Sequence, residues 1–244
     1  MKESNYQNWL KKESEWIGSY CNHTRKNSLL KIVPLTLVVS MLLLGCMAFL
    51  GSGNTEELLM GAVGGLFFGG VISLFYLAIL FTNLRPGKYV RKIEQSIREL
   101  SLNESELEQL GQEMLEAWNQ KSQVLSYEMV GPNSKGTPAR FVVTPHYAFQ
   151  VGSTPYAALV RLNDIATVQL SSERKTTTTR GANSKTLHFL TLYTIRFYRK
   201  DRFDRGLSEN DLPDYAMGFF QEDLRDAAAK ILQDNGVRVT AQEL

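Results

Sequence analysis

The side chains best suited to holding another molecule sit in the stretch SSERKTTTTRGANSK, residues 171–185. There Arg174, Lys175, Arg180 and Lys185 stand against one acid, Glu173, around four consecutive threonines. Cations and hydroxyls at this density match phosphate or carboxylate oxygens, as on an anionic lipid headgroup or an acidic protein surface. The competing reading is a solvated hairpin tip between two strands. A second basic run follows, with Arg196, Arg199, Lys200, Arg202 and Arg205 interrupted by Asp201 and Asp204. The strongest cations of the two runs, Arg174, Lys175, Arg180, Lys185, Arg199, Lys200 and Arg202, are the candidate contacts for anionic lipid or an acidic partner. Near a charged bilayer each would contribute about 1 kcal/mol, against the alternative of a solvated strand edge.

Catalytic patterns are not found. GPNSKGT, residues 131–137, approaches a phosphate-binding loop, but Thr137 stands where the lysine belongs and the segment joins strands where a strand-to-helix junction is needed. There is no Gly-x-Ser-x-Gly elbow, no His-Glu-x-x-His and no Gly-x-Gly-x-x-Gly after a strand. His23, His146 and His188 fall in three separate elements without ligand spacing, and Cys21 and Cys46 offer neither a disulfide framework nor a metal pair. The chain is expected to be no enzyme, with no catalytic residue, metal or cofactor. A net charge of +2 over 244 residues gives no reason to expect nucleic acid.

The basic stretches must be placed relative to two apolar runs in the first third of the chain. Residues 32–50, IVPLTLVVSMLLLGCMAFL, carry no charge, and at about 1.5 Å per residue they just cross a hydrocarbon core of about 30 Å. Residues 58–84 form a second, longer run. About 30 polar and aromatic residues precede the first run, which argues against a cleaved signal peptide. Pro34 falls near the start of the first span, where a missing backbone donor costs least. Between the runs lies only GSGNTEE, whereas Arg25, Lys26 and Lys31 precede them and Arg85, Lys88, Arg91 and Lys92 follow. The positive-inside rule then predicts a multi-pass protein of the inner (cytoplasmic) membrane with both termini in the cytoplasm.

In the second span Gly61, Gly65, Gly69 and Ser73 recur at four-residue spacing and share one helix face. Such a face lets another helix approach closely. Two readings stay open: packing against Ser40, Gly45 and Ala48 of the first span, or a homo-oligomer contact.

Before the spans, Tyr6, Trp9, Leu10, Trp16, Ile17 and Tyr20 recur at helical spacing. This aromatic stripe suits either the bilayer headgroup layer or a seat on a soluble domain. After the spans, Val90, Ile93, Ile97 and Leu100 mark one short amphipathic helix. Ser101 with Glu104 resembles a capping box opening a second helix with Leu107, Leu110, Met114 and Trp118. Its acids, Glu104, Glu106, Glu108, Glu113 and Glu116, read as a solvated face or a partner surface.

From about residue 122 the period changes to that of strands: QVLSYEMV, RFVVT, YAFQV, YAALVRL, ATVQLSS, TLHFLTLYTIRFYRK and YAMGFF. A helix over residues 222–234 follows, with Leu224, Ala227, Ala228, Ile231 and Leu232 as its apolar stripe and Asn235-Gly236 as its stop. The segment ARFVVTPHYAFQVGSTPYAALVRLNDIATVQL, residues 139–170, resembles the bacterial pleckstrin-homology-like (PH-like) domains. The likeness is to small membrane proteins in which two spans precede such a domain, and it covers about half the chain. It implies a non-enzymatic module for binding, scaffolding or self-assembly. The long threonine-rich stretch after Ser172 and the long segment after Lys200 depart from that pattern.

The expected architecture is a membrane α-helical hairpin plus an α+β cytoplasmic domain, with about seven antiparallel strands in a bent PH-like sheet or barrel capped by a C-terminal helix. Its parts are an amphipathic segment (1–28), the hairpin (29–84), juxtamembrane helices (85–120) and the β domain (121–244). The function expected is that of a membrane-anchored adaptor or scaffold, acting through protein contact or self-assembly, with the lipid bilayer, an unidentified protein and a second copy as partners. The alternative is an accessory subunit of a membrane transporter or export complex.

Overall fold

The computed structural model describes residues 4–131, 134–152, 156–180, 185–203 and 212–241. The chain divides into two compact units, one of residues 15–87 and one made jointly of residues 1–14 and 88–244.

Helix α1 (Asn5–Asn27), whose residues 5–14 belong to the other unit, runs through a π-helical turn, Ser28–Ile32, into α2 (Val33–Ser52), and α3 (Thr55–Asn83) returns. Pro34 lies at the start of α2, as expected, although the π turn makes that helix continuous with α1. A proline there cannot donate to the carbonyl one turn back and crowds it, and the wide π turn just before Pro34 absorbs the conflict. Gly53 ends α2 in the left-handed conformation (φ 71°), and Asn54 caps α3 by accepting from the Glu56 amide at 3.1 Å. Helices α2 and α3 are long and apolar enough to cross a membrane. Leu42, Leu50, Phe67 and Phe75 point outward from the pair, as side chains do when the surroundings are apolar.

In the second unit, α4 (Pro86–Glu99) and α5 (Glu104–Ala117) precede the sheets. The capping box of α5 is formed by Asn103 and Glu106, not Ser101 and Glu104. Asn103 sits in an extended conformation that lets its side chain reach the Glu106 amide, whereas Ser101 takes up the left-handed turn (φ 51°) between the helices.

Sheet 1 is an antiparallel meander of β1 (Val124–Gly131), β2 (Ser134–Val143), β3 (Tyr147–Gly152) and β4 (Tyr156–Arg161). Sheet 2 contains β5 (Ile165–Arg180), β6 (Lys185–Arg199), β7 (Tyr215–Phe219) and β8 (Val239–Ala241) in the order β7-β6-β5-β8. A single-turn α6 (Lys200–Phe203) and helix α7 (Glu222–Asp234) stand before and after β7. The described strands thus number eight, not seven, and the eighth pairs parallel with β5. Helix α7 allows this: it carries the chain across the sheet end, as a parallel neighbour requires.

Phe141, Val143, Ala148 and Val160 of sheet 1 meet Val168, Ile195, Phe197, Met217 and Phe219 of sheet 2, with Ala228, Ala229 and Leu232 of α7 closing the core. Each fully buried large side chain here stabilises the fold by about 1.5–3 kcal/mol. Strand β3 is buried along its whole length, so sheet 1 is covered on both faces. Its second face carries Arg140, Val142, Phe149 and Leu159, all buried.

Candidate interaction surfaces

That second face is where Trp9 of the N-terminal aromatic stripe goes. Trp9 is fully buried with its ring edge-on to Phe149, centroids 5.4 Å apart. Its indole N–H donates to Glu13 Oε1 at 3.0 Å, and the Arg140 guanidinium meets the same oxygen at 2.5 Å. The Arg140 guanidinium carbon also lies over Trp118, 3.7 Å from the ring centre, with the Lys12 ammonium 5.5 Å from that centre. Trp9 therefore packs on sheet 1, the second of the two seats its sequence allowed. Burial pushes the Glu13 carboxyl up, and the Arg140 charge and the two hydrogen bonds pull it back. A guanidinium keeps its proton in proteins, so the contact is an ion pair sealed between two tryptophans.

The acids of α5 are committed in the same way. Glu108 accepts from the Asn5 and Tyr6 amides, supplying α1 with the anionic cap its own first turn lacks. Glu106 meets Arg161 at 3.2 Å, Glu113 meets His146 Nδ1 at 2.6 Å, and Glu116 accepts from Gln112. Where Gly111 passes α1, an added Cβ would collide with the Tyr6 backbone, so the two helices require glycine there. The charge run is thus largely a set of struts between α1, α5 and sheet 1.

In the hairpin, Gly61, Gly65 and Gly69 face α2. A Cβ on Gly61 would come 2.5 Å from the Leu44 carbonyl, and one on Gly65 would overlap that of Ser40. Ser73 is buried on the same face. The small-residue stripe is filled by α2 of the same chain. Closer to the charged flank, Ser28 Oγ lies 3.0 Å from Tyr76 Oη, and Arg25 donates to the Leu84 carbonyl beneath the Phe81 ring.

The described part of the stretch, residues 171–180 and Lys185, is strand and not loop. Strand β5 continues to Arg180, and β6 begins at Lys185, with an unbroken register from Thr167↔Tyr198 to Arg180↔Lys185. The β-branched threonines favour extended backbone, which the basic composition around them obscured. Only residues 181–184 lie outside the described ones at the tip. Arg174 and Lys175 are exposed; Arg174 lies 5.6 Å from the centre of the Phe189 ring, and Lys175 pairs with Glu173 at 3.5 Å. Arg199, Lys200 and Arg202 lie at the other end of this hairpin, with Arg199 eight residues from Thr191, the partner of Arg174, or roughly 26 Å at about 3.3 Å per residue. There Arg199 pairs with Asp201, and Arg202 with Asp214 at 3.2 Å; Asp214 also accepts from the Arg199 amide. The two basic runs are therefore separate surfaces, and the second is largely neutralised by its own acids. Arg205 falls outside the described residues.

Between the sheets, Gln150 donates to Tyr127 Oη at 2.7 Å and to the Gly218 carbonyl at 2.9 Å, a polar tie that the sequence did not signal. Burial pushes the Tyr127 hydroxyl well up from its ordinary value. No group of acids, histidines and cysteines suited to a metal ion occurs among the described residues. No protein-family model matches the chain, and no curated protein or solved structure matches it either.

Proposed function

We propose that the chain is a non-catalytic adaptor, anchored in the inner membrane by the α2–α3 hairpin with both termini in the cytoplasm, that presents a PH-like β domain for protein contact. The observation that carries this reading is the division of labour between the units. One is a helix pair with a continuous outward apolar surface. The other ties its ionisable side chains into structural pairs, Glu13 with Arg140, Glu113 with His146 and Arg202 with Asp214. The order of a four-stranded meander, a second antiparallel meander and a closing helix supports the PH-like assignment. The charge asymmetry around the hairpin supports the orientation.

Crosslinking in native membranes followed by mass spectrometry tests the function. The adaptor reading expects crosslinks from the β domain to one recurrent protein. Crosslinks confined to α2 and α3, all to subunits of one transport complex, would replace it with the accessory-subunit reading. Thiol labelling of Ser52→Cys in a Cys46→Ser background, reactive only from the external side, is the outcome expected for the orientation.

A further inference from the structure

Helix α4 (Pro86–Glu99) has two unlike faces. Tyr89, Ile93, Ser96 and Ile97 recur at helical spacing and are buried. At about 100° per residue the opposite face carries Lys88, Arg91, Lys92, Gln95, Arg98 and Glu99, exposed but for a half-buried Lys88. That face has four cations and one acid, and Glu94 is half-buried on its flank.

Helix stability alone would not select this arrangement. Lys88 has Arg91 and Lys92 as its neighbours three and four residues on, a like-charge crowding that weakens a helix, and the first turn contains no acid to offset it. Elsewhere in the same unit Arg161, Arg199, Arg202 and Arg225 each meet a carboxylate. The four cations of α4 meet none among the described residues, and Lys92 donates instead to the Gln95 side chain at 3.1 Å. An anion from outside the chain would relieve the crowding.

We propose that the cationic face of α4 binds the phosphates of anionic lipid headgroups, holding the helix along the bilayer surface while its apolar face stays inside the protein. The proposal rests on the membrane anchoring argued above. Charge and tether length together select the occupant. Helix α3 ends at Asn83 and Lys88 follows five residues on, within about 18 Å even for fully extended chain. An anionic bilayer inside that reach complements every cation of the face, each giving a factor of about five in affinity. A second copy would set four cations against four. Because the apolar stripe is already buried, the binding is electrostatic, without insertion, and therefore sensitive to salt.

The test uses the full chain reconstituted in vesicles of phosphatidylcholine alone or with equimolar phosphatidylglycerol. It carries the photoreactive residue benzoylphenylalanine at position 95, in the middle of the cationic face, or separately at position 42 in the hairpin. The expected result is lipid adducts from position 95 that require phosphatidylglycerol and fall with added salt, and adducts from position 42 in both vesicles at any salt. Lys88→Gln, Arg91→Gln and Lys92→Gln together should lower the position-95 adduct on the order of a hundredfold, about fivefold per cation, with tryptophan emission unchanged to show the fold intact. Glu99→Gln should raise it about fivefold. Adducts from 42 but none from 95, equal yields in neutral vesicles, an unaltered yield in the triple variant, or protein adducts and crosslinked dimers from 95 would overturn the α4 proposal and leave anchoring intact. No lipid adduct from 42 would overturn both.

Discussion

Arg140→Met is the substitution that most directly probes the seat of the N-terminal segment. It removes the cation that lies 2.5 Å from Glu13 Oε1 while keeping an unbranched chain against Trp118. Glu13 is then left with the Trp9 indole N–H alone, since its other oxygen is buried without a partner. A carboxylate so placed takes up a proton in preference to staying charged. From its ordinary value of 4.5, holding that proton at about pH 7 costs at most about 3.4 kcal/mol, at about 1.36 per pH unit. Loss of the guanidinium from the Trp118 ring adds about 1–2 kcal/mol. The expected deficit is about 5 kcal/mol at about pH 7 and about 2 at about pH 5.

The sign follows from proton binding. The folded variant holds the Glu13 proton more tightly than the unfolded chain does. Its stability is therefore fully present below about 4.5 and is lost as pH rises toward the folded value. Denaturant unfolding of the detergent-solubilised full chain, followed by tryptophan fluorescence, reads this directly. The double variant Glu13→Gln, Arg140→Met should recover most of the loss, a coupling of about 3 kcal/mol. A deficit that does not change between these pH values, or strict additivity in the double variant, would refute the buried ion pair.

Gly65→Leu, whose side chain would occupy the space of the Ser40 carbonyl, should separate α2 from α3 while leaving membrane insertion intact. A chemical crosslink between engineered cysteines on the two helices is the measure, and the oligomer distribution should be unaffected. Gln150→Leu leaves the Tyr127 hydroxyl and the Gly218 carbonyl without their shared donor, and should lower unfolding stability by about 1–3 kcal/mol. Tyr127 should stay protonated beyond its ordinary value of 10.0, and Tyr127→Phe should remove the most delayed phase of the alkaline ultraviolet titration. Glu108→Ala removes the anchor of the Asn5 and Tyr6 amides, and should speed hydrogen exchange in the first turn of α1 with a cost of about 1 kcal/mol.

Elements whose period is set by local chemistry could be read directly. Helix α7 has the bounds its apolar stripe and Asn235-Gly236 stop predict, and α2, α3 and strands β1, β3 and β4 lie where periodicity puts them, whereas β2 already begins at Ser134, inside the segment expected to be a turn. What escaped were choices made by partners distant in sequence. Strand β8 is only Val239–Ala241, too short to carry a pattern, and exists because β5 offers it an open edge. The cap of α5 depended on which of two polar residues, Ser101 or Asn103, turned left-handed, a matter of a single φ angle. Threonines 176–179 looked like a loop because their neighbours are charged, although their branched side chains favour the extended backbone they adopt. The stripe containing Trp9 suited a bilayer or a protein equally well. Only Arg140, a cation directly before the apolar run Phe141–Val143, hinted that an acid must come to meet it, and nothing in its spacing pointed to Glu13.

That meeting has a timetable. The domain is interrupted by the hairpin, so its first piece leaves the ribosome well before the strand that receives it: Glu13 and Arg140 are 127 residues apart. At about 5–20 residues per second Arg140 follows roughly 6–25 s later. For that interval Trp9 and Glu13 have no seat, while the two apolar helices are already emerging. Shortening the N-terminus or fusing a bulky tag to it therefore withholds the last piece to dock in a domain otherwise built from the far end of the chain.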